Sequence, residues 1–488
     1  MADFARSAHP GVQEQLDRLS KLSPAGDRLG LERISALLDR LGRPQDSLPP
    51  VFHIAGTNGK GSTVAFLRAA LDAGGHSVHA FTSPHLVRFN ERIRVAGRLI
   101  EDDELARTLE DVIDAGAGIE PSFFEVAAAA AFLTFARVPA DACILEVGLG
   151  GRLDATNVID QPLVTGIANL ALDHQQFLGS GLPDIAGEKA AIAKRGVPLV
   201  TQLYPPAIGA RIEDIARERG APWLPRGGVW DAIVRQGKLR YRDEQGELDL
   251  PLPRLPGRHQ AMNAALAVAM LRHQDDLRVT PTALNAAMGW ADWPARLQRL
   301  APGPLVGARE IWLDGGHNPS AARHIASFVR RKFDDEKPLH MVFASLATKD
   351  PPGMLEPFRG LVERVHAVPI PDHSCFAPQD LVDIAGELGF AAEAHDDFRE
   401  AVAAVPTDAR VLIFGSLGRG VAGESFDKYG YALVFRWTAA AGLVAVFFVL
   451  LEWWRVTAQD RRQADSEIPP ATGAKATEAL GESGQPAR

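Results

Sequence analysis

The sequence predicts an α/β protein of two domains, each built on a parallel sheet with helices on both faces, followed by one apolar helix. Three observations predict this. The chain has 488 residues, too many for one ordinary domain. Short apolar runs ending in glycine alternate with segments of helical periodicity, the signature of strand–helix–strand units. The alternation then resets after residue 310, which implies a second sheet. Composition agrees: 46% apolar and 23% charged residues suit large cores with a solvated surface. The formal charge of −9 argues against a general nucleic-acid binder, which needs a basic face to displace counterions. Cys143 and Cys375 are the two cysteines, in no metal-like spacing, so neither a disulfide framework nor a cysteine metal site is expected.

The N-terminal stretch reads as one or two short amphipathic helices separated by Ser23-Pro24-Ala25-Gly26. Asp3, Arg6, Glu14, Asp17, Arg18 and Lys21 interrupt any apolar signal-peptide core. Residues 51–56 form an apolar run ending in glycine, a buried strand. A helix follows over 62–73 and a strand over Ser77 to Phe81. Phe123 to Phe135 is alanine-rich and helical. Asp141 to Val147 is a strand feeding Gly148-Leu149-Gly150-Gly151, and Leu163 to Ile167 is another. After the reset, Glu310 to Leu313, Leu339 to Ala344, Val365 to Val368 and Arg410 to Phe414 read as strands, with a helix from Ser320. Trp293-Pro294-Ala295-Arg296 is the expected linker, giving domains 1–294 and 295–424.

The end of the chain differs in kind. Trp437 to Leu451 is 15 residues without a charge. Tyr429, Tyr431 and Trp437 flank it on one side, Trp453 and Trp454 on the other, as in the aromatic belts of a membrane span. Tyr431 to Trp454 is 24 residues, enough to cross about 30 Å of hydrocarbon. A buried helix is the blander reading. The expectation is a single transmembrane helix over 429–455 and a polar, disordered tail over 456–488.

Gly56-Thr57-Asn58-Gly59-Lys60-Gly61-Ser62 lies between a strand and a helix. Such a loop turns backbone N–H groups and a helix N-terminus toward phosphate oxygens. Lys60 would neutralise phosphate charge, and Ser62 would offer a hydroxyl to Mg²⁺. The alternative is a glycine-rich turn without a ligand. The match to the usual P-loop is imperfect, because Ile54 stands where the first glycine belongs and Gly61 separates Lys60 from Ser62. Further motifs follow strand ends: Thr82-Ser83-Pro84-His85-Leu86 with Arg88 to Arg92, Leu145 to Asn157, and Leu172-Asp173-His174. Phe177-Leu178-Gly179 and Glu188-Lys189-Ala190 come next. Gly257-Arg258-His259-Gln260 with Asn263, Arg296, Asp314-Gly315-Gly316-His317-Asn318-Pro319 and Lys349-Asp350 complete the set.

In that order these motifs resemble the folylpolyglutamate synthase/dihydrofolate synthase family, a branch of the Mur-ligase-like ATP-dependent amide ligases. The resemblance spans roughly residues 12 to 418. It implies a P-loop-containing ATPase domain followed by a smaller Rossmann-like domain, and a ligase joining L-glutamate to dihydropteroate or folates through an acyl phosphate. It implies ATP and two Mg²⁺ ions as cofactors. Ser62, Ser83 and Glu146 would hold one ion, and Glu146 with His174 a second. Lys189, otherwise an ordinary helix lysine, would be carbamylated. Gln260, Asn263, Arg296 and Asp314 match ATP-contacting positions, and His317 would place the incoming glutamate. Phe123, Phe124 and Asp154 are candidates for the pterin pocket, since a flat ring asks for aromatic stacking and its amino edge for a carboxylate. Phe-Phe on an alanine-rich helix is more often a core pattern, so Asp154 is the better of these candidates, and His174 alone could be a core histidine.

The chain departs from the family at Gly315 for alanine, at Thr348 for aspartate, and at Ala295 for glycine. The largest departure is the end, where the expected closing helix gives way to the apolar span. A cytoplasmic monomeric ligase, with membrane association through that span, is the expected whole. The rivals are a Mur-like ligase acting on a peptidoglycan precursor, and a membrane-tethered ATP-binding scaffold without turnover.

Overall fold

The structure is a computed structural model that describes residues 6–22, 29–301, 303, 306–333, 335–371 and 373–416. The segments expected as a transmembrane helix, 429–455, and as a tail, 456–488, lie outside the described residues. Among the described residues no helix is long and apolar enough to cross a membrane.

The first sheet has eight strands: β1 (Val51–Ala55), β2 (Val78–Phe81), β3 (Ile93–Val95), β4 (Arg98–Leu99), β5 (Ala142–Glu146), β6 (Val164–Ile167), β7 (Leu199–Thr201) and β8 (Trp223–Pro225). Their order is β4-β3-β2-β5-β1-β6-β7-β8. The central strands are parallel, with β1 between β5 and β6. β3 and β4 run antiparallel at one edge, so the sheet is mixed rather than wholly parallel. The central strands are buried on both faces, which is why they read as continuous apolar runs. Along β5, Ala142 and Ile144 face one core, with Phe52, Ile54 and the helices Lys60–Ala73 and Arg258–Arg272. Cys143 and Leu145 face the other, with the helix Phe123–Arg137. Ala127 to Ala131 are fully buried in that helix, and their small side chains let it lie close against the sheet. Ser122 and Glu125 start it with a reciprocal cap, at 3.3 and 2.6 Å. The expected N-terminal helices are present at Pro10–Leu22 and Glu32–Arg40; the Ser23 to Gly26 separator is outside the described residues.

A three-stranded antiparallel sheet, not expected from the sequence, comprises β9 (Asp231–Arg235), β10 (Lys238–Asp243) and β11 (Gly246–Pro251). Gln236 and Gly237 both have positive φ, 53° and 73°, the conformation of a tight two-residue hairpin turn. Leu239, Tyr241 and Leu250 alternate inward onto the core shared with the Arg258–Arg272 helix.

The second sheet comprises β12 (Gln298–Arg299), β13 (Glu310–Asp314), β14 (Leu339–Ala344), β15 (Arg364–Ala367), β16 (Ala391–Ala394) and β17 (Arg410–Gly415), in the order β12-β13-β17-β14-β15-β16. All but β12 are parallel. Ala295, in the expected linker, and Leu297, just after it, have positive φ of 54° and 46°. The carbonyl of Ala295 accepts the Gly315 N–H at 3.0 Å, tying the linker to the end of β13.

Candidate active site

The site begins where β1 ends. Gly59 has φ of +88°, and a Cβ there would collide with the Asn263 side chain, so only glycine fits between the loop and the Arg258–Arg272 helix. The Thr57 and Asn58 N–H groups donate to the Asn169 carbonyl at 2.8 and 3.2 Å, fixing the loop to the chain beyond β6. The Lys60 ammonium folds back onto the Gly56 carbonyl at 3.0 Å. Ser62 lies buried in the first turn of the helix that follows.

Other groups arrive from neighbouring strand ends, where open α/β sheets place ligands. Glu146 ends β5 and is 3% exposed. It accepts the Ser83 N–H at 3.2 Å from the segment after β2. Burial pushes the Glu146 carboxyl up, while Lys60, Arg296 and Arg92 oppose that shift. A buried carboxylate among so few donors is costly unless a cation completes it. Two hydroxyls and a carboxylate form the hard-oxygen set that Mg²⁺ prefers, so Ser62, Ser83 and Glu146 fit such an ion. His174 follows β6 in the left-handed region, φ 52°. Burial lowers its pKa to about 3, with Asp173 opposing, so its ring is neutral and its nitrogen lone pair is open to a metal.

Asp173 joins the two sheets. Its carboxylate receives the Lys349 ammonium at 2.5 Å, the His317 ring at 3.3 Å and the Asn318 amide at 3.1 Å. Burial alone would raise the Asp173 carboxyl, but hydrogen bonding and charge from His317, with Lys349 and His174, hold it far below the usual carboxylate range. Asn58 of the loop and Asn318 of the second sheet also exchange amide hydrogen bonds, at 3.1 and 2.9 Å. Asn318 additionally caps the Pro319–Lys332 helix through the Ala321 N–H.

Beside these groups is a cavity of about 240 Å³ lined by Gly56, Thr57, Lys60, Ser83, Phe124, Asp154, His174, Lys189 and His317, among others. The Phe124 ring lies directly on Gly148, where any Cβ would strike it. Phe123 turns instead toward Arg92 and Phe89. Both Asp154 oxygens are held by the loop: Thr156 donates through N–H and hydroxyl at 3.0 and 2.5 Å, and Leu149 N–H at 2.8 Å. Lys189 is 4% exposed, and among the described residues its ammonium reaches only the Gly150 carbonyl, at 3.5 Å. Burial, reinforced by Lys60, lowers its pKa to about 7.

Of the residues expected from sequence, Asn58, Gly59, Gly61, Ser62, Glu146, Gln260, Asn263, Arg296 and Asp314 do not line this cavity. Gln260 accepts the Asn263 amide at 3.1 Å on one helix, and Asn263 touches Gly59. Asp314 accepts the Leu297 and Gly316 N–H groups at 2.8 and 2.7 Å, and burial raises its carboxyl against the pull of Arg296. Asp173, Lys349 and Asn318 are site residues that the sequence reading quotes within motifs but assigns no role. Their signal was an acidic residue placed just past an apolar strand end, matched by a lone lysine more than a hundred residues on.

No family model matches the chain. The dihydrofolate synthase/folylpolyglutamate synthase of Bacillus subtilis is 32% identical over 410 residues, covering 80% of this chain and 93% of that protein. The structure of Escherichia coli FolC in complex with DHPP and ADP superposes with a TM-score of 0.78 at 31% identity, over 87% of this chain and 99% of that one. The Yersinia pestis bifunctional folylpolyglutamate synthase/dihydrofolate synthase, complexed with AMPPNP and Mn ion, gives a TM-score of 0.75 at 30% identity, over 86% and 100%. With the same fold, near-complete mutual coverage and this identity, the chain belongs to the dihydrofolate synthase/folylpolyglutamate synthase family.

Proposed function

We propose that this cleft uses ATP to join the amine of L-glutamate to the carboxylate of dihydropteroate or of a reduced folate. The observation that carries the reading is the convergence on one cavity, from both sheets, of Lys60, of Ser83, whose N–H donates to the buried Glu146, and of the Asp173-bound His317. Amide formation from a carboxylate requires activation. The substrate carboxylate oxygen attacks the γ-phosphorus of ATP, giving an acyl phosphate and ADP. The glutamate amine then attacks the acyl carbon, loses a proton and expels inorganic phosphate. The rate of such a transfer rests on positioning and on charge placed against the phosphoryl oxygens.

In this reading the loop from Gly56 to Gly61 holds the phosphates and Lys60 neutralises them. Gln260 and Asn263 meet the adenine, and Arg296 and Asp314 approach the nucleotide from the linker and β13. Mg²⁺ held by Ser62, Ser83 and Glu146, with a second ion at Glu146 and His174, supplies further positive charge. Phe124 stacks on the pterin, and Asp154 shapes and faces its amino edge. His317 orients glutamate, and the Trp293 to Arg296 linker is the hinge between residues 1–294 and 295–424. The test is phosphate release by the full chain with ATP, Mg²⁺ and glutamate, adding dihydropteroate or tetrahydrofolate in turn. Stimulation by either supports the reading, and stimulation by both makes the enzyme bifunctional. Stimulation by neither, or only by a UDP-linked peptidoglycan precursor, overturns it.

Phe124→Ala is expected to raise KM for the pteroate substrate about tenfold or more, with a smaller effect on kcat, because an aromatic contact that binds ground and transition states alike is lost. Steady-state kinetics at saturating ATP and glutamate check this.

Lys189 is the proposed carbamate. With a pKa of about 7 a large share of its amine is neutral near physiological pH, and a neutral amine adds CO₂, releasing one proton. ¹³C-bicarbonate should give a carbamate resonance in the wild type and none in Lys189→Met. The same residue sets a pH dependence of stability. Its folded pKa of about 7 lies below the ordinary 10.5, so between these values the unfolded chain holds a proton that the folded chain has released. Stability therefore rises with pH across that window. In CO₂-free buffer, denaturant unfolding should show the wild type gaining on the order of 2 kcal/mol relative to Lys189→Met between about pH 7 and 9.

Membrane attachment through 429–455 is proposed on sequence alone, from its uncharged run and aromatic flanks. Recovery of the full chain with membranes after alkaline carbonate washing supports it, and complete release overturns it. A monomer is the proposed state of the ligase, checked by light scattering in detergent.

A further inference from the structure

We propose that His366, Glu393 and His395 form a binding site for a divalent transition metal of the zinc type, at the outer edge of the second sheet and separate from the ligase cleft. His366 is on β15 and Glu393 lies opposite it on β16, in parallel register. His395 directly follows β16, and its N–H donates to the Ala367 carbonyl at 2.9 Å, so the backbone fixes both ligand-bearing segments. Three atoms converge: His366 Nδ1 and Glu393 Oε1 are 2.9 Å apart, His366 Nδ1 and His395 Nε2 3.0 Å, and His395 Nε2 and Glu393 Oε1 3.5 Å. An ion about 2.0–2.2 Å from each of three such ligands, at angles between right and tetrahedral, needs ligand separations of about 2.8–3.6 Å. All three observed edges fall in that range.

Hydrogen bonding alone satisfies the triangle poorly. His366 Nδ1 lies within bonding distance of both a carboxylate oxygen and an imidazole nitrogen. A single proton on that nitrogen points at one of them and leaves the other without a hydrogen bond from it. A cation at the centre accepts all three lone pairs at once. The surroundings extend the same logic. His340 stacks on His366 with ring centres 5.2 Å apart, and its Nδ1 is 2.9 Å from His366 Nε2. When His366 binds through Nδ1, its Nε2 carries the proton and donates it to His340, the outer hydrogen bond that fixes the tautomer of a metal-bound histidine. The remaining nitrogen of His340 is then N–H bearing. It is buried without a hydrogen-bond partner, and the Glu363 carboxylate lies 3.9 Å away.

Exposure provides an entry. His366 is fully buried and His395 8% exposed, whereas Glu393 is 39% exposed at the sheet edge. Two imidazoles and one carboxylate favour zinc, nickel or copper over Mg²⁺, which takes oxygen ligands and retains water. Three protein ligands leave a position open to solvent. The ion would clamp the edge strand β16 to β15.

The test uses the full chain, stripped by chelator and kept in excess Mg²⁺ to occupy the oxygen ligands of the ligase cleft. Calorimetry and metal analysis with Zn²⁺ should give one zinc per chain, and a Tm that rises with zinc. Glu393→Gln and His395→Gln should each weaken binding about tenfold or more, and the double variant should lose both the binding and the Tm rise, with phosphate release by the ligase unchanged. Co²⁺ added to the wild type should give the intense visible bands of a low-coordinate nitrogen site, a readout that needs no variant. A wild type that takes up no zinc, a double variant that binds it as tightly, or a weak six-coordinate cobalt spectrum would each overturn the proposal.

Discussion

Lys60→Ala is expected to lower ligation about 10²- to 10³-fold while leaving the fold intact. The ammonium donates to the Gly56 and Thr57 carbonyls, at 3.0 and 3.5 Å, and to no side chain among the described residues. Its removal therefore costs the loop little, since both carbonyls border a cavity that admits water. What is lost is a positive charge held ready for the phosphoryl oxygens, and loss of one such preorganised donor typically costs that factor in rate. ATP affinity should fall with it, because the same charge meets ground-state phosphates. Phosphate release at saturating substrates, beside unfolding curves matching the wild type, checks both halves. Activity within threefold of wild type would show that the phosphates bind elsewhere.

Asp173→Ala carries the largest combined effect. It strips the carboxylate from Lys349, which is 7% exposed and whose ammonium has Asp173 at 2.5 Å. Breaking one side of a buried ion pair typically costs about 3–5 kcal/mol, because the other charge stays desolvated. His317 and Asn318 lose the same partner. Denaturant unfolding should show the destabilisation, and KM for glutamate should rise more than KM for ATP. The double variant Asp173→Ala/Lys349→Met should recover part of the stability, because no buried charge is left over, and none of the activity. A double variant as unstable as the single one would place the cost outside this pair.

Much of this was legible in the sequence for identifiable reasons. Strands buried on both faces, such as β1 and β5, announce themselves as unbroken apolar runs, and the glycines that follow mark where the chain must turn close to another backbone. Hence the central strands, the Lys60 loop and Glu146 at the end of β5 could be placed from residues alone. The β9–β11 sheet was not, because alternation over five or six residues with lysines and arginines outward resembles a polar loop. Nor was the partnership of Asp173 with Lys349, 176 positions apart, since only the packing of two sheets brings them together. Asp154 illustrates a third limit. Its type and position suggest a ligand contact, and what the sequence does not show is that N–H groups of its own loop also bind both its oxygens. The apolar segment at the end of the chain lies outside the described residues.

The reciprocal amide pair between Asn58 and Asn318 has a consequence for the order of events in a catalytic cycle. One partner sits in the loop proposed to receive nucleotide, and the other precedes the helix beside His317. On the proposed reading, a shift of the loop on taking up ATP would be felt by the segment proposed to receive the amino acid, and the reverse. An acyl phosphate is quickly hydrolysed when no amine awaits it. A mechanical link of this kind ties the making of the activated species to the readiness of its acceptor, and so suppresses futile consumption of nucleotide. Asn318→Ala should accordingly raise the ratio of phosphate released to amide formed, a leak visible by measuring both products in one reaction.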